Sequence, residues 1–97
     1  MIAGYTLTKH AQFQIQLRNI QESWIESTLN IPDQTILLAD EHGNTHYLKK
    51  ITEFGDRFLR IVVNPQVEPN RIVTLFFDRR IKWNSLFTKK MMLSTYD

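Results

Sequence analysis

A chain of 97 residues with 42% hydrophobic residues, a net charge of +2 and no cysteine has room for one modest core and not for two. The missing cysteines exclude a disulfide framework, a thiolate zinc site and a thiol nucleophile. No apolar run approaches the ~20 residues of a membrane span, and Met1-Ile2-Ala3-Gly4-Tyr5 has neither the basic nor the apolar part of a signal peptide, so the expected location is the cytoplasm with no membrane partner.

Tyr5-Thr6-Leu7 is a short β-type run, and Thr8 is placed to cap a helix with its hydroxyl. From His10 to Arg18 two periodicities compete. Apolar residues at 11, 13, 15 and 17 alternate as in a strand. Gln, Ala, Leu and Arg are helix formers, and Phe13, Leu17 and Ile20 also share a helical face. The composition favours a helix, stopped at Asn19, a residue that tolerates the left-handed conformation. A second helix is expected over Gln21–Leu29, with Trp24, Ile25, Thr28 and Leu29 inward and Glu22 in the first turn, where the helix dipole favours an acid. Ile31-Pro32-Asp33 ends it.

Strands follow at Thr35–Ala39, Thr45–Thr52, Arg57–Asn64 and Arg71–Asp78, separated by turns at 40–44 and 54–56 and a loop at 65–70. Short connections imply an antiparallel meander. The expected class is therefore α+β: a short N-terminal strand, two helices, then a four-stranded antiparallel meander. Alternation puts Leu59, Ile61 and Val63 on one face with Val73, Leu75 and Phe77, towards the helices. It puts Arg60 and Thr74 on the face expected to be less covered. Residues 1–80 form the domain. Residues 81–97 form a basic and aromatic tail holding Trp83, Phe87, Met91, Met92 and Leu93. That tail is a short helix, an extra strand, or a segment that packs on a partner or a second copy.

Charge is unevenly spread. Asn19 to Tyr47 has no Lys or Arg and five acids, Glu22, Glu26, Asp33, Asp40 and Glu41, whereas Lys49 to Asp97 has ten Lys or Arg and five acids. Such polarity suits an anionic partner, and equally an ordinary solvated surface. No phosphate loop, metal-ligand cluster or nucleophile triad is present, so neither cofactor nor metal is expected. His10, His42 and His46 are unclustered. His10 in a first helical turn is either a capping residue or a neutral imidazole able to act as a base. Arg18, two turns on, is either a surface arginine or a bidentate phosphate ligand. Arg60, inside RFLRIVVN, faces either water or a cleft. Arg79, Arg80 and Lys82, with Trp83 and Phe87 nearby, form either an RNA-binding footprint or a basic edge that discourages aggregation.

Tyr5-x-Leu7-Thr8-x-His10-Ala11, followed by Arg18-x-Ile20, Ile31-Pro32-Asp33, Ile61-Val62-Val63 and Ile72-Val73-Thr74, resembles the bacterial family called domain of unknown function 4258. The resemblance implies a RelE/ParE/BrnT-like fold and a helix at 10–18. It further implies a toxin of a type II toxin–antitoxin pair, acting as a metal-independent endoribonuclease on free or ribosome-bound RNA and held by a cognate antitoxin. On that reading His10 is the base, Arg18 and Arg60 are phosphate ligands, and Arg79, Arg80 and Lys82 hold RNA. Three positions depart from the family pattern. Gln14 stands where the family has an arginine, Asn19 where it has glycine, and Phe76 where it has tyrosine. The lost guanidinium and phenol favour the alternative, a non-catalytic interaction module of the same fold.

Overall fold

The structure, a computed structural model, describes Ile2, residues 4–37 and residues 43–80. Lys82, His42 and the tail from 81 onward, with the expectations attached to them, lie outside the described residues. The described residues form a mixed α+β fold with two helices and one five-stranded sheet. Strand β1 (Tyr5–Leu7) leads into α1 (Lys9–Leu17) and α2 (Glu22–Asn30). Then come β2 (Gln34–Leu37), β3 (Thr45–Ile51), a 3-10 turn (Thr52–Phe54), β4 (Arg57–Asn64) and β5 (Asn70–Phe77). The sheet order is β1-β5-β4-β3-β2. Strands β2 to β5 pair antiparallel in succession. The expected meander thus gains a fifth strand, because β1 pairs in parallel along β5.

The ambiguous segment is helical as far as Leu17, with Arg18 as its C-cap, and both its ends are fastened. The Thr8 hydroxyl accepts from the Ala11 N–H at 3.0 Å and donates to the Val73 carbonyl at 2.7 Å, so one side chain caps α1 and ties it to β5. At the other end Asn19 takes φ 56°. The Ile20 N–H bonds the Ile15 carbonyl at 2.9 Å and the Asn19 N–H bonds the Gln16 carbonyl at 3.3 Å. These two bonds with a left-handed residue make a Schellman stop, and Ile15 and Ile20 both belong to the core region.

Helix α1 packs on β5 and β1, and α2 packs on β3 and β4, all on one face of the sheet. Trp24, Ile25, Leu59, Ile61, Val63, Ile72 and Leu75 are buried in this core. One expected core residue is displaced. Val62 pairs with Thr74 and Val63 with Ile72, leaving Val73 as an unpaired extra residue in β5. This bulge reverses the alternation, so Ile72 enters the core and Val73 does not. On the opposite face Ile36, Leu48, Phe58, Arg60 and Val62 are buried, contrary to the expectation for Arg60, whereas Thr74 and Phe76 are half-buried.

Candidate functional site

Arg60 does not face an open cleft, which corrects the sequence expectation. It is 1% exposed, the largest fully buried side chain among the described residues. A buried guanidinium needs partners for its donors. Arg60 Nε donates to Asp78 Oδ2 at 2.8 Å, and one Nη donates to His46 Nδ1 at 2.7 Å. Arginine has no acceptor, so His46 accepts at Nδ1 and, when neutral, carries its proton on Nε2. Burial pushes the Arg60 guanidinium below its ordinary value, and the bond and charge of Asp78 oppose that push. Burial would raise the Asp78 carboxyl, but bonds from Arg80 and Arg60 outweigh it and hold Asp78 below the usual carboxylate value.

His10 and Arg18 stand on the opposite side of the sheet, at the two ends of α1, and both are exposed. They are eight residue steps apart, about 12 Å along the axis. The structure therefore does not bring His10, Arg18 and Arg60 together.

It does assemble a different group. Arg18 at the end of α1, Arg57 at the start of β4 and Arg79 just past β5 line one cleft of about 240 Å³, with Leu17, Phe54 and Phe77 as its apolar members. The Arg57 guanidinium lies 4.7 Å from the centre of the Phe54 ring, a cation–π contact. Phe54 in turn packs on Phe77 at 4.9 Å and on Trp24 at 5.1 Å. The floor of the cleft is therefore the edge of the core and is rigidly backed. Among the described residues no carboxylate pairs with Arg18, Arg57 or Arg79. A second cleft of about 320 Å³ adjoins it and shares Arg57, Phe77 and Arg79, adding Asp56, Phe58 and Asp78.

The arginines read as RNA ligands from sequence separate accordingly. Arg79 lines the cleft, and Arg80 binds Asp78, with Nε at 3.0 Å from Oδ1 and one Nη at 2.9 Å from Oδ2. Arg57, Asp78 and His46 were missed. The available signal for Arg57 was its place on the helix face, in phase with Leu59. For Asp78 it was the carboxylate that ends RIVTLFFD in phase with Arg60 across the sheet.

No group of His, Asp or Glu able to hold a metal ion occurs among the described residues, and no helix there is long and apolar enough to cross a membrane. No curated protein and no solved structure matches the chain. A family model does match, over residues 7–77, a span that takes in both helices, four strands with the end of β1, and every cleft residue except Arg79. The chain belongs to the family described as Domain of unknown function (DUF4258).

Proposed function

We propose that the chain binds RNA and grips its phosphate backbone in the cleft of Arg18, Arg57 and Arg79. The observation that carries this reading is three arginines from three separate parts of the fold lining one cleft with an aromatic floor, none of them paired with a carboxylate among the described residues. Cations of one sign gathered along a cleft favour an anion there. Guanidinium forks suit phosphate oxygens, and flat apolar surface beside them suits a base. The RelE/ParE/BrnT-like fold that the family resemblance implies agrees with it. In that extension the chain is an endoribonuclease of a toxin–antitoxin pair with a RelE-like fold. A ribose 2′-oxygen attacks the adjacent phosphorus, the P–O5′ bond breaks, and a 2′,3′-cyclic phosphate and a 5′-hydroxyl result. His10 takes the 2′-hydroxyl proton, and solvent supplies the proton to O5′. Arg18, Arg57 and Arg79 hold a neighbouring phosphate of the same strand, and the buried Arg60 has no direct part.

A second reading has its own support. Phe13 and Leu17, one turn apart on α1, are 59% and 61% exposed. An apolar stripe beside a basic cleft suits a protein partner, and the chain is then a non-catalytic interaction module.

Binding of fluorescent single-stranded RNA across a salt series tests the first reading. Three phosphate contacts give a slope of log affinity against log salt of about −2, and loss of one removes roughly 0.7 of it. Arg57→Ala should show that loss with an unchanged fold. Absence of binding at low salt overturns the RNA reading. Controlled expression in a bacterial host, scored for growth arrest and RNA integrity, tests the toxin extension.

A further inference from the structure

We infer that Asp78 and Arg80 are positioning residues of the cleft: together they lock the chain just past β5 so that Arg79 alone is turned towards bound RNA. The inference rests on the RNA reading above and adds residues that do not touch the ligand.

Alternation is carried past the end of β5. Phe77 packs on the helix side with the core. Asp78 is buried and bonded to Arg60, on the opposite side. Arg79 returns to the helix side and lines both clefts. Arg80 turns back to Asp78. The β4–β5 ladder reaches only as far as the Asp78 N–H, so beyond residue 78 another force must hold the alternation. Asp78 supplies that force. Its N–H bonds the Phe58 carbonyl at 2.8 Å. Its Oδ2 accepts from Arg60 and Arg80, and its Oδ1 accepts from the Arg80 N–H and Nε, both at 3.0 Å. Four bonds use the whole acceptor capacity of a carboxylate. Residues 78 and 80 are thereby fixed on either side of Arg79, and the second cation is directed to Asp78 instead of the ligand.

The role differs from charge in a way that can be measured. Arg79 and Arg80 acting as two independent phosphate ligands give additive losses of RNA affinity. A clamp gives coupled losses, because Arg80 then works only through Arg79. The experiment is a double-mutant cycle on the full chain, with Arg79→Ala, Arg80→Ala and both together, read by the salt dependence of binding to single-stranded RNA. The expected result is that the double variant binds no more weakly than Arg79→Ala alone. Additive losses overturn the clamp. Arg80→Lys, which keeps the charge but lacks the fork, should behave as Arg80→Ala. Full retention of affinity in Arg80→Lys also overturns it.

Asp78→Asn gives an opposite-sign test. It makes the chain more positive, and a purely electrostatic surface then binds RNA more tightly. The clamp requires weaker binding. A third readout needs no RNA: the Arg80 amide should be protected from hydrogen exchange in the native chain and exposed in Asp78→Asn. An unprotected amide in the native chain rejects the clamp. A protected amide with no RNA binding supports the clamp and rejects the RNA reading alone.

Discussion

Arg60 and Asp78 hold each other at 2.8 Å with both side chains 1% exposed. A pair this dry is weak evidence of net stabilisation, since desolvation offsets most of the attraction. Breaking it is another matter. Arg60→Ala leaves a buried carboxylate supported by Arg80 alone, and strips His46 Nδ1 of its donor. The typical loss for one partner of a buried pair is on the order of 3–5 kcal/mol, and the surviving Arg80 bonds set the expectation at the lower end. Urea melts of Arg60→Ala measure it. A loss under about 1 kcal/mol would show that Arg60 is not held as described.

The same pair sets an acid limit. The folded-state Asp78 carboxyl titrates below its ordinary value because Arg80 and Arg60 bind the charged form. A depressed carboxyl contributes stability that is complete above its unfolded pKa of about 3.9 and is lost as pH falls through the lower folded value. Stability should therefore drop as the pH goes below about 4, and Asp78→Asn should remove this part of the slope. Melting temperatures over that range check it, and parallel curves for the two proteins would reject it.

Thr8 offers a quieter test, of how α1 is attached. Thr8→Ala loses a helix cap, typically about 1 kcal/mol. It also loses the bond to the Val73 carbonyl, another ~1 kcal/mol. The sum of roughly 2 kcal/mol corresponds to a fall in melting temperature of about 8–16 °C for a domain of this size. Thr8→Ser keeps both bonds and should stay near the native value. Equal losses in the two variants would assign the effect to the methyl group.

The cap illustrates what the sequence conveys well. Thr8, Asn19 and Pro32 act within one turn of chain, so their positions were readable without any knowledge of the sheet. The alternation of Leu59, Ile61 and Val63 was equally local. What failed was long-range. The bulge at Val73 depends on the register between β4 and β5, and one extra residue put Ile72 in place of Val73 on the helix face while Leu75 and Phe77 stayed where expected. Arg60 looked solvent-facing because its partners, Asp78 and His46, are 18 and 14 residues away. The cleft was hidden for the same reason: Arg18, Arg57 and Arg79 come from three elements and form no spacing in the chain. Only Arg18 and Arg79 were singled out, each for a different surface.

The catalytic extension stands or falls on His10. The residue is exposed in the first turn of α1, so His10→Ala should leave stability within about 0.5 kcal/mol, as for other surface substitutions. That makes it a clean kinetic probe. His10 lies about 12 Å from Arg18 along the helix, too far to share the phosphate in the cleft. A base at His10 therefore acts on a neighbouring nucleotide of a strand that runs along α1. Affinity for RNA should survive His10→Ala, whereas the cleavage rate should fall by about 10²–10⁴, the usual contribution of one acid–base group. Arg57→Ala should lower affinity and rate together, because it holds the strand that His10 must meet. Single-turnover cleavage and equilibrium binding on the same variants separate these effects. A native chain whose cleavage rate survives His10→Ala retires His10 as the base. A native chain that binds RNA but leaves it intact, with and without ribosomes, removes the nuclease extension and keeps the cleft as a binding surface.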